Sequence, residues 1–72
     1  SLFSDIRLKE NISYAGTENG HNIYEFNYIG RPERYTGVMA QEVLKKNPEA
    51  VIHTPEGLKV NYGAIGVQMR RI

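Results

Sequence analysis

The 72 residues contain no cysteine and no tryptophan. Without cysteine there are no disulfides and no thiolate metal sites. His21 and His53 are the only histidines; they lie far apart without helical i, i+4 spacing, so no structural metal is expected. Charge of one sign is missing too: nine basic against eight acidic residues leave a net +1. The basic pairs Lys45-Lys46 and Arg70-Arg71 are too short to track a phosphate backbone, so no nucleic-acid partner is expected. No apolar run approaches the ~20 residues a membrane span needs, and no signal-peptide pattern opens the chain. The seven glycines are scattered and make no nucleotide-binding fingerprint, so no cofactor is expected.

The length fits one small domain over residues 1–72. A domain this short buries only about 60% of the surface its unfolded chain exposes. Such domains usually need a disulfide, a metal or partner chains. With the first two excluded, oligomerisation is the expected source of stability.

Residues 4–12 place Ile6 and Leu8 in alternation and Leu8 and Ile12 at i, i+4, which leaves strand and helical turn both open. Residues 15–21 carry turn chemistry, with Asn19-Gly20 as a strong hairpin signal. Residues 21–29 read as a strand with Tyr24, Phe26 and Tyr28 on one face. The break at Pro32 leads into a return strand at 35–38. Residues 39–46 are the best helix candidate, with Glu42 and Lys46 spaced for an ion pair, and Asn47-Pro48 stops it. Residues 50–53 and 58–62 form a second hairpin around Pro55-Glu56-Gly57. Residues 64–72 look helical, with Ile65, Met69 and Ile72 as a seam. The expected fold is α+β: small antiparallel hairpins, a central short helix and a C-terminal helix.

Three blocks of sequence carry a resemblance. They are Ser4-Asp5-Ile6-Arg7-Leu8-Lys9-Glu10-Asn11-Ile12, then Tyr35-Thr36-Gly37-Val38-Met39-Ala40-Gln41-Glu42-Val43 with Asn47-Pro48-Glu49-Ala50-Val51, then Gly57-Leu58-Lys59-Val60-Asn61-Tyr62. In this order they resemble the peptidase S74 family, the intramolecular chaperone domains at the C-termini of phage endosialidase tail spikes and tail fibres. The resemblance implies a homotrimer whose C-terminal helix leads into a trimeric coiled coil. It implies assistance to the folding of an upstream β-rich fibre or spike of the same polypeptide. It further implies release by Ser-Lys autoproteolysis, with Ser4 and Lys9 as catalytic residues and the cut adjacent to Ser4. Residues 1–3 then read as the end of the upstream region, and residues 64–72 as the truncated start of the helix. The expected setting is the host cytoplasm during virion assembly, with the domain released from the mature virion. The alternative is an assembly domain that does not cut.

The chemistry imposes conditions of its own. A serine hydroxyl needs a base to take its proton. Lysine serves only when neutral, which requires its pKa to fall from about 10.4 toward 7 in a dry site. In one continuous helix, residues five apart stand roughly 140° apart. Ser4 must therefore curl back toward Lys9 through a turn near residues 5–7, or meet Lys9 of another subunit. Asp5 is read as an orienting group for backbone or Arg7 rather than a catalytic one. Gln41 and Glu42 read mainly as helix surface, with a polar cluster in the site as the lesser reading, and Tyr24, Phe26, Tyr28, Tyr35 and Tyr62 read as core or subunit interface.

Overall fold

A computed structural model describes all residues 1–72. Strand β1 (Leu2–Phe3) leads through a 3-10 turn (Ile6–Leu8) into β2 (Lys9–Glu18) and β3 (His21–Tyr28). Strand β4 (Arg34–Gly37) and helix α1 (Ala40–Lys46) follow, then a 3-10 turn (Pro48–Ala50) and the hairpin β5 (Val51–Thr54) and β6 (Gly57–Val60). Helix α2 (Tyr62–Ile65) and β7 (Arg70–Arg71) complete the chain. The strands make two antiparallel sheets, ordered β1-β6-β5 and β2-β3-β4-β7. The fold is α+β, as expected.

Local chemistry explains most of the boundaries. Asn19 and Gly20 take φ of 50° and 82°, the doubly left-handed pair that a tight hairpin turn needs, with Glu18 opposite His21. Helix α1 ends at Asn47, whose ψ of 69° is set by the following Pro48. The first amide of α1, Ala40 N–H, donates to the Ser4 carbonyl at 2.7 Å, which ties the helix to the start of the chain. The core consists of Val38, Ala40, Val43, Ala50, Val51, Val60, Tyr62, Ile65 and Val67, and so lies between α1 and the hairpin β5–β6. Phe26 and Met39 are also fully enclosed.

Three local expectations are corrected. Residues 64–72 are not a helix. Helix α2 stops at Gly66, which takes the left-handed φ of 67° and donates its N–H back to the Gly63 and Tyr62 carbonyls. A side chain there would meet Asn19 Nδ2 at 2.5 Å, the group that bonds the Ile65 carbonyl. The chain then runs extended, and Arg70 and Arg71 pair with Thr36 and Tyr35. Ile65 is buried and Ile72 exposed, so the proposed seam does not form one face. Residues 15–18 are strand rather than turn, because shifts in register between Glu10 and Ser13 and between Tyr14 and Gly16 let β2 continue to Glu18. Glu42 and Lys46 do not pair: Glu42 accepts the Tyr24 hydroxyl, and Lys46 donates to the Gly20 carbonyl.

Candidate active site

The 3-10 turn at Ile6–Leu8 answers the geometric question left by the sequence. It folds the backbone so that Lys9 Nζ lies 3.1 Å from Ser4 Oγ within one chain. Both side chains are buried: Ser4 is fully enclosed and Lys9 is 5% exposed. No partner subunit is needed to bring them together or to cover them.

Asp5 builds that turn. Its carboxylate caps the 3-10 segment by accepting the Arg7 N–H at 3.0 Å, and accepts Arg7 Nε and Nη2 at 3.0 and 2.7 Å. It also accepts Leu58 N–H at 3.1 Å and Gln41 Nε2 at 2.7 Å. The Arg7 contact, with further help from Gln41 and two backbone amides, holds the carboxyl well below its ordinary range despite its burial. Gln41 works from both ends, since its Oε1 accepts Ile6 N–H at 2.9 Å. The helix residue read as surface is therefore the clamp that joins α1 to the turn. Asp5 has the orienting role expected of it.

Lys9 sits in a dry pocket. Its Nζ donates to the Val38 carbonyl at 2.8 Å and lies 3.9 Å from the centre of the Phe26 ring. Burial pushes its pKa down from 10.5 to about 7, opposed by the negative charge of Asp5. That is the range in which a lysine base is competent at neutral pH.

Tyr62 completes the cluster. Its hydroxyl lies 2.6 Å from Ser4 Oγ and accepts the Val38 N–H at 3.1 Å. Burial pushes its pKa up, so the phenol stays protonated. The Val38 backbone thus grips two members of the site, Tyr62 through its N–H and Lys9 through its C=O. Gly37 makes room for this: a Cβ there would stand 2.5 Å from the Tyr62 hydroxyl oxygen.

Tyr62 was not legible as a site residue. It stands 58 positions from Ser4 and reads as one more core aromatic. The available signal was that a buried tyrosine needs a partner for its hydroxyl. His21 is buried and bonds Asn47, while Glu42 bonds Tyr24, and neither reaches the cluster. No group of three or more histidine or acidic side chains is arranged to hold a metal.

No curated protein and no solved structure matches the chain. A family model described as chaperone of endosialidase matches residues 4–52. The matched span begins at the enclosed serine and takes in Lys9, Phe26, Val38 and Gln41. Because that match covers more than half of the 72 residues, this chain belongs to the peptidase S74 family, the chaperones of endosialidase.

Proposed function

We propose that the domain acts as an intramolecular chaperone that cuts itself once, with Ser4 as nucleophile and Lys9 as its base. The observation that carries this is the buried 3.1 Å contact between Ser4 Oγ and Lys9 Nζ. Neutral Lys9 accepts the Ser4 proton while its own N–H keeps the Val38 carbonyl, and the Tyr62 hydroxyl turns to donate to Ser4 Oγ. Charged Lys9 instead donates to Ser4 Oγ, and the Ser4 proton turns to Tyr62, away from any base.

Attack on the Phe3 carbonyl carbon closes a relaxed ring through Ser4 Cβ, Cα and N. Attack on Ser4's own carbonyl closes a ring one atom smaller and far more strained. The cut therefore falls before Ser4. The Oγ–C bond forms as the Ser4 proton passes to Lys9. The Phe3–Ser4 C–N bond then breaks, and the amine of Ser4 takes the proton from Lys9. The resulting ester is hydrolysed by water, which leaves a carboxylate on Phe3 and restores the Ser4 hydroxyl.

In this reading the chain serves as the C-terminal part of a phage tail spike or fibre and assembles as a homotrimer. It assists an upstream β-rich segment to fold in the host cytoplasm and leaves the virion after cleavage. Support for assembly comes from an apolar groove of about 780 Å³ that includes Leu2, Phe3, Leu8, Ile29, Tyr35 and Met69. Leu2 and Ile29 remain 46% and 58% exposed there. The alternative, an assembly domain that does not cut, draws on the pairing of β1 with β6, which makes the upstream residues part of the fold.

The test is a fusion with a reporter protein ahead of Ser1, refolded from denaturant and read by denaturing gel and intact mass. The wild type splits, whereas Ser4→Ala and Lys9→Met stay whole with unchanged circular dichroism. A wild type that folds and stays whole leaves only the assembly reading.

A further inference from the structure

Tyr28 has a hydroxyl that the Ser4–Lys9–Tyr62 cluster does not use. It donates to the carbonyl oxygen of Phe3 at 2.6 Å, the oxygen of the peptide bond before Ser4. Burial pushes its pKa up to about 12, so it remains a donor across the working range. Its one other hydrogen-bond contact is the Met69 sulfur at 3.7 Å, a weak acceptor.

The placement is fixed by the sheet. Lys9 and Tyr28 are directly opposed residues on β2 and β3, so their side chains leave the sheet on the same face. Phe26, two residues earlier on that face, supports both. Its ring lies under Lys9 Nζ and meets the Tyr28 ring edge-on, with centroids 5.3 Å apart. Tyr35 closes a triangle of rings, with its centroid 5.7 Å from Tyr28 and 6.0 Å from Phe26. The Phe3 peptide is held independently: Leu2 and Phe3 pair with Val60 and Lys59, and Ser4 N–H donates to the Leu58 carbonyl at 3.0 Å. The carbonyl, its donor and the base are thus each anchored by separate strands.

We propose that Tyr28 is a catalytic residue, the hydrogen-bond donor that receives the oxyanion formed on the Phe3 carbonyl when Ser4 attacks. This rests on the reading that Ser4 cuts the bond before it. As the Oγ–C bond forms, the carbonyl electron pair moves onto the Phe3 oxygen, where the Tyr28 O–H strengthens its existing hydrogen bond. When the pair returns, the C–N bond breaks and the Ser4 amine leaves with the proton from Lys9. Tyr28 keeps its own proton throughout. One preorganised donor of this kind is generally worth about 100-fold to 1000-fold in rate.

The experiment uses the refolded reporter fusion with Tyr28→Phe, which keeps the ring stack and removes only the hydroxyl. Cleavage is expected to slow at least about 100-fold, with circular dichroism and the midpoint of the pH–rate profile unchanged. A second variant, made by semisynthesis, carries 2,3-difluorotyrosine at position 28. Its more acidic phenol ionises at lower pH and then cannot donate, so the rate gains a descending alkaline limb that the wild type lacks. Cleavage of Tyr28→Phe within about twofold of wild type overturns the assignment, as does a difluorotyrosine profile without that limb. In either case, loss of cutting in Ser4→Ala leaves the serine–lysine reading standing. A wild type that never cuts overturns both.

Discussion

The pH dependence of self-cleavage follows from the buried lysine. With a pKa of about 7, Lys9 is roughly one-tenth neutral at pH 6 and nine-tenths neutral at pH 8. The cleavage rate therefore rises about tenfold across that interval and flattens above it. A lysine with the ordinary value near 10.4 gives about a hundredfold rise over the same interval and keeps climbing to pH 10. The same burial is a stability statement. Between pH 7 and 10.5 the unfolded chain holds a proton on this lysine that the fold does not, so stability rises with pH through that window. Below pH 7 both states carry the proton and the desolvation cost is fully present, on the order of 5 kcal/mol at ~1.4 kcal/mol per pH unit. Two assays read the two effects. The fusion is refolded into buffers from pH 5.5 to 10 and its cleavage followed by gel, while Ser4→Ala is unfolded in urea over the same range. Lys9→Met in the uncut background removes the alkaline rise in stability. A rate that climbs tenfold per pH unit beyond pH 8, or a stability flat between pH 7 and 10, refutes the dry-site argument.

Three further outcomes follow from single contacts. Tyr62→Phe takes the acceptor from the buried Val38 N–H and one of two partners from Ser4 Oγ; urea unfolding shows a loss of about 1–3 kcal/mol, and gels show slower cutting. Gly37→Ala pushes Tyr62 off its position and costs a similar amount, about 1–3 kcal/mol, with cleavage slowed as well. Asp5 contributes stability that is present above the ordinary carboxylate range and lost as pH falls toward its depressed folded value. In the uncut background, Asp5→Asn is therefore less stable at neutral pH and lacks the acid-side decline between pH 5 and 2, as urea titrations at stepped pH will show.

Ser4 and Lys9 stood out only through the family resemblance, while the five-residue spacing left a turn near residues 5–7 and a lysine of another subunit both open; the 3-10 turn capped by Asp5 brings the two side chains together within one chain. Both hairpins were legible from Asn19-Gly20 and from Pro55-Glu56-Gly57. The tyrosines were not separable by pattern. Tyr24, Tyr28 and Tyr62 all read as core aromatics, yet their hydroxyls end on Glu42, the Phe3 carbonyl and Ser4. Those partners are set by tertiary distances that periodicity does not carry. The C-terminal helix failed for a local reason. The spacing of Ile65, Met69 and Ile72 suggested a seam, but Gly66 takes a left-handed conformation that closes the helix after one turn. Gln41 reads as helix surface in the sequence because its partners, Asp5 and the Ile6 amide, lie 35 or more residues away.

The most direct measurement is the identity of the new ends after refolding the fusion, by mass spectrometry of both fragments over time. The account predicts a fragment ending in the Phe3 carboxylate and one beginning with the free amine of Ser4, formed in equal amounts. It also predicts that hydroxylamine traps the intermediate ester as a hydroxamate on Phe3. Fragments ending elsewhere, or the same fragments from Ser4→Ala, contradict it.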